Sequence, residues 1–114
     1  MLLRVVVTHK KAFNLLENRV LISGLIHKIY DTRYSPAGIP MTRFILDHQS
    51  EQSEAGLKRN IRCKALIIIA GTKLHEVFGR LQTGQQITVA GYLSQVSYQG
   101  QNPKLCVNAE SIKV

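Results

Sequence analysis

The chain has 114 residues, with 15 Lys and Arg against 7 Asp and Glu, a formal charge of +8 and a sequence pI near 9.9. That length makes one domain, able to bury roughly two-thirds of the surface its unfolded form exposes and so to fold without a metal or a disulfide staple. The charge points to a polyanionic partner through counterion release and long-range steering, and the longest apolar run, Ala65 to Ala70, is too short to span a bilayer.

The opening Met1-Leu-Leu-Arg-Val-Val-Val is followed by His9-Lys10-Lys11 with no cleavage site, so it reads as neither signal nor anchor. Residues 20 to 30 (VLISGLIHKIY) are rich in β-branched and aromatic types and form a first strand, with Gly24 marking a bend or bulge. Residues 31 to 40 carry Asp31, Ser35-Pro36-Ala37-Gly38 and Pro40, which is the chemistry of a loop. Residues 41 to 48 alternate, Phe44 and Leu46 on one side and Arg43, Ile45 and Asp47 on the other, as a second strand. The polar stretch 49 to 57, ending in Ala55-Gly56, reads as an exposed connection.

A third strand runs from about Arg59 to Ile69 and begins in Lys58-Arg59-Asn60-Ile61-Arg62-Cys63-Lys64, four cations in seven residues without an acid. Extended, this segment puts Lys58, Arg62 and Lys64 on one face and Ile61, Cys63 and Ala65 on the other, so it is expected to be apolar beneath and cationic above. Such a strand is either an ordinary solvated face or a platform for a polyanion. Residues 73 to 82 switch to a helical period, with Leu74, Val77, Phe78 and Leu81 on one side and Gly84 as a stop. Residues 86 to 96, interrupted by Gly91, form a fourth strand; 97 to 103 form a loop; Lys104 to Val114 form a fifth. Cys63 and Cys106 sit singly in alternating apolar runs and read as buried small hydrophobes of a reducing compartment.

Five strands, a short helix between the third and fourth, and glycine-bent strands one and four meet the requirements of an all-β, five-stranded Greek-key barrel of the OB type, which binds oligonucleotides across its second and third strands. The same strand count also admits another small barrel or a sandwich.

Specific words narrow this. Asn18-Arg19-Val20-Leu21-Ile22-Ser23-Gly24 resembles the opening of bacterial single-stranded DNA-binding proteins, and Ser35-Pro-Ala-Gly-Ile-Pro followed by Arg43-Phe44-Ile45-Leu46-Asp47-His48 resembles their replication-restart branch, the primosomal replication protein N family. Glu54-Ala55-Gly56, Ile87 to Tyr92 and Asn108 to Ile112 fit the same register, so the resemblance covers residues 18 to 114. It implies an OB-fold homodimer without enzymatic activity or cofactor. Such a dimer binds single-stranded DNA at stalled forks in the bacterial cytoplasm, at the nucleoid, contacts the restart helicase and passes the complex to the next primosome assembly factor. The family's basic positions fall on Arg33, Lys58, Arg59 and Lys104. Its stacking tryptophan falls on Arg62, an arginine after the second strand falls on Gln49, and Ser97 and Gln99 stand where other members are basic.

A missing tryptophan matters, because stacking a base on an aromatic ring is worth ~1–3 kcal/mol. Arg62 offers a guanidinium plane instead, Arg43 and Lys64 add charge to the sheet, and Tyr34 and Tyr98 are the candidate stacking rings nearest that face, with packing at a loop base the alternative reading for each. Residues 1 to 17 lie outside the resemblance and are read as a disordered tail or the product of a start codon assigned too early. Against an enzyme stand scattered carboxylates and four histidines, His9, His27, His48 and His75, without metal spacing; His48 reads as a structural hydrogen-bonding residue. Two binding alternatives stay open: a basic OB module for RNA, since charge and stacking are common to both nucleic acids, and an adaptor whose protein contacts dominate.

Overall fold

In the computed structural model, residues 16–96 and 104–114 are described. They form β1 (Val20–Ile29), β2 (Arg33–Tyr34), β3 (Pro40–Glu54), β4 (Leu57–Ala70), α1 (Thr72–Phe78), β5 (Gln86–Gln95) and β6 (Leu105–Lys113). The sheet order is β1-β5-β6-β4-β3-β2, and an additional β1–β3 pairing closes it. The fold is therefore the expected five-stranded OB barrel, with β2 as a two-residue addition that the loop chemistry of residues 31 to 40 concealed. Residues 1–15 of the expected tail, and Tyr98, lie outside the described residues. No helix among the described residues is long and apolar enough to cross a membrane.

Alternation builds the core. Phe44, Leu46, Ile67, Ile69, Ile87 and Val89 point inward from their strands and are fully buried, joined by Ile26, Val107 and Ile112. The helix seals one end, stacking Phe78 on Phe44 with ring centroids 4.8 Å apart. Gly79 ends α1 well before the expected Gly84, and Leu81 still reaches the core because the chain turns back there. Thr42 is the one buried polar residue among the core strands, and it is satisfied. His75 donates from Nδ1 to the Gly71 carbonyl (2.7 Å), leaving Nε2 to accept from the Thr42 hydroxyl (2.7 Å), which accepts in turn from Thr32 (2.6 Å).

Two glycines are required by close backbone approach. A Cβ at Gly24 would run into the Asp47 carbonyl where β1 passes from its β5 partner to its β3 partner, and one at Gly91 would run into the Asn108 carbonyl at the bulge after Ala90. At the start of the barrel the Asn18 side chain acts as a strand residue. Its amide donates to the Leu93 carbonyl (2.9 Å) and accepts from the Leu93 N–H (2.8 Å).

The largest departure from expectation lies at residues 49 to 57. They are not a loose connection: β3 continues to Glu54 and turns back through Ala55 (φ 52°) and Gly56 (φ 78°), the paired positive φ of a two-residue hairpin turn. Beyond the barrel this hairpin is a two-stranded arm, exposed at every position from Glu51 to Asn60. Four paired residues per strand, 51–54 against 57–60, carry it roughly 13 Å outward. The arm corrects two further expectations. The cationic segment has no apolar floor there, because no second layer covers either face, and Cys63 is therefore exposed; only Cys106 is buried.

Candidate nucleic-acid interface

Register fixes which side chains share the outer face. On β3 the outward positions are Arg43, Ile45, Asp47, Gln49, Glu51 and Ser53, opposite Ile68, Leu66, Lys64, Arg62, Asn60 and Lys58 on β4. Lys58, Arg62 and Lys64 thus line one face as expected, and Arg43 joins them. The other edge of β3 is shared by two strands. β2 sets Arg33 opposite Met41, and β1 sets Lys28 opposite Ile45, while the Tyr30 N–H donates to the Arg43 carbonyl (2.9 Å). Lys28, Tyr30 and Arg33 therefore extend the same face.

Lys104 precedes β6. β6 lies on the far side of β4 from β3, and the Lys104 carbonyl accepts from the Val96 N–H (3.1 Å). Arg59 and Tyr34 lie elsewhere. Arg59 pairs with Gln52 and projects from the opposite side of the arm. Tyr34, opposite Pro40, is on the inward side of β2 and lines a shallow cleft with Thr72, His75 and Glu76 at the helix-sealed end.

Carboxylates intrude on this surface. Arg62 lies 3.4 Å from Asp47, Lys58 lies 3.7 Å from Glu51, and on the other side of the arm Arg59 lies 2.9 Å from Glu54. Exposed pairs of this kind are worth only ~0–1 kcal/mol, so a phosphate can displace the carboxylate. Arg33, Lys64 and Lys104 have no carboxylate within ion-pair distance among the described residues.

Of the expected rings, Tyr34 faces the helix-sealed end and Tyr98 lies outside the described residues; the aromatic on the platform among the described residues is Tyr30. Lys28 Nζ stands 4.9 Å from its ring centroid and Arg43 Cζ 5.9 Å. The sequence carried a signal for it, since Lys28 and Tyr30 alternate about Ile29, but only the pairing of β1 with β3 sets them beside Arg43. His48 donates from Nδ1 to the Ser23 carbonyl (2.6 Å), holding β3 against β1, and accepts at Nε2 from Ser50 two residues along its own strand (2.7 Å), so both ring nitrogens are engaged in structural bonds. No group of three or more potential metal ligands occurs among the described residues. The arrangement is an open cationic sheet with an apolar centre at Ile45, Leu66 and Ile68, suited to a flexible polyanion with exposed bases.

Comparison with known proteins fits this geometry. The profile of a family described as "another single-strand binding protein family" matches residues 18–109. The replication restart protein PriB of Photorhabdus laumondii is 38% identical over 85% of this chain and 92% of its own length. Among solved structures, PriB from Ralstonia solanacearum superposes with a TM-score of 0.76 at 21% identity, over 86% of this chain and 97% of that one. The single-stranded DNA binding protein from Thermus aquaticus does so with a TM-score of 0.67 at 26% identity, over 85% of this chain and 49% of that one. With its barrel, strand order and sequence register in common with these proteins, the chain belongs to the PriB replication-restart family of single-strand binding proteins.

Proposed function

We propose that the chain is a non-catalytic accessory factor of replication restart that binds single-stranded DNA on the outer face of β2, β3 and β4. The observation that carries this reading is the continuous cationic face from Arg33 through Arg43 to Lys64, Arg62 and Lys58 on a barrel of the single-strand binding type. Lys104 widens it, Arg59 reaches phosphate from the back of the arm, and the Arg62 plane stands where relatives stack a base. Tyr34 and Tyr98 remain proposed contacts at its margins. The partners are the restart helicase and the next primosome assembly factor, in the bacterial cytoplasm at replication forks.

The working unit is a homodimer. β1 pairs with β5 over Val20–Leu25 and with β3 only from Leu25 to Ile29, so its first half has an open edge among the described residues. On that half Leu21 is 76% exposed and Leu25 is open, as is Tyr92 on the neighbouring β5. An unpaired edge beside exposed apolar side chains fits a second copy of β1 across a two-fold axis.

The test is binding of a labelled single-stranded oligonucleotide at several salt concentrations, with duplex DNA and RNA of matching sequence as competitors. Single strands give a log–log slope of about −0.7 per phosphate neutralised. A slope equivalent to several contacts, with preference for single-stranded DNA, is expected. The ion pairs at Arg62, Lys58 and Arg59 favour a second reading, an adaptor with residual DNA affinity. Negligible binding near physiological salt would select it.

A further inference from the structure

We infer that Tyr30, with Lys28 and Arg43, forms a nucleobase-stacking subsite on the sheet platform, separate from the Arg62 position. The assignment rests on the single-strand reading above and adds to it the residue that holds a base. The chain has no tryptophan. Of its described aromatic side chains, Phe44 and Phe78 stack on each other in the core, Tyr34 faces the helix-sealed end and Tyr92 belongs to β5. Tyr30 is thus the one described ring on this face.

Its backbone is held and its ring is open. The Tyr30 N–H is bonded to Arg43, yet the residue is 40% exposed and its hydroxyl makes no hydrogen bond among the described residues. A buried structural tyrosine commonly has its ring covered and its hydroxyl partnered; here neither holds. Two cations stand over the ring, 4.9 Å and 5.9 Å from its centroid, and no acid forms an ion pair with either among the described residues. Such a cluster stores charge next to a π face. A base can slide onto the ring in place of one cation, and the displaced Lys28 or Arg43 then meets the adjoining phosphate. The floor beside it is apolar: Ile45 and Ile68 are half-buried and Met41 is 41% exposed. Arg43 and Gln49, the partner of Arg62, are six positions apart on β3, or ~20 Å. The two subsites therefore hold different nucleotides of one strand.

The experiment uses the full chain and a labelled oligothymidylate, alongside the same backbone bearing abasic sites. Tyr30→Ala should weaken binding about 5- to 100-fold with the salt slope unchanged, while Tyr30→Phe stays near wild type. Tyr30→Leu, which preserves apolar packing but has no π face, should resemble the alanine variant, and all four proteins should bind the abasic strand alike. Wild-type binding with Tyr30→Ala and Tyr30→Leu unaffected overturns the subsite alone. A loss that is equal on the abasic strand, or accompanied by a shallower salt slope, also overturns it, because the ring then acts only by positioning charge. Failure of the wild type to bind any single strand overturns the functional reading together with the subsite.

Discussion

Asp47 decides how much of the Arg62 charge a ligand meets. Its carboxylate is 3.4 Å from the guanidinium, while Lys64, its partner across the ladder, is beyond ion-pair distance, so the Arg62 charge is the one it screens. Asp47→Asn keeps shape and removes charge. It should tighten single-strand binding by up to about fivefold and steepen the salt slope by roughly one phosphate. Arg62→Ala should cost more affinity than Lys104→Ala in the same titration, because Arg62 can stack as well as neutralise; equal losses would mean that it supplies charge only. At this scale the sequence was informative about type and silent about pairing. The alternation of Lys58, Arg62 and Lys64 was legible because a strand has period two. Their carboxylate partners were not, since Asp47 and Glu51 come from the neighbouring strand and only the register brings them close. Tyr30 was hidden for the same reason.

Among the elements, the β3–β4 arm shows where reading by pattern stops. Phe44 and Leu46 announced a strand because one face must be apolar to enter the core, whereas Gln49 to Glu54 are polar on both faces and resemble a loop. They are extended because β4 supplies hydrogen-bonding partners and a tight turn sets the register. That turn carries a flaw. Ala55 occupies the left-handed region at φ 52°, which costs a residue with a Cβ about 1 kcal/mol. Ala55→Asn, suited to both the left-handed region and this turn, should recover roughly that amount where arm opening is measured by amide exchange at Glu54 and Leu57. The helix was misjudged more mildly. The apolar period from Leu74 to Leu81 is real, but Gly79 breaks the helix and the last apolar residue is delivered by a turn.

For the molecule as a whole, closure of the barrel was legible from strand count, the two glycines and the helix position, because few topologies satisfy all three. The edge proposed for a dimer was not, since the open half of β1 becomes visible only once the partners of both its edges are known. Leu21→Asp places a charge on that half without touching the core. It should convert the protein to a monomer by light scattering while preserving the circular dichroism of the barrel. An unchanged mass would move the contact elsewhere.

The arm has a broader consequence. Because no core residue lies between Glu51 and Asn60, substitutions there alter what the protein grips without touching what makes it fold. Surface chemistry and foldedness are separable in this architecture, so the side chains of the arm can change with the barrel unharmed. Under the proposed function, such a chain can retune its hold on a single strand one side chain at a time.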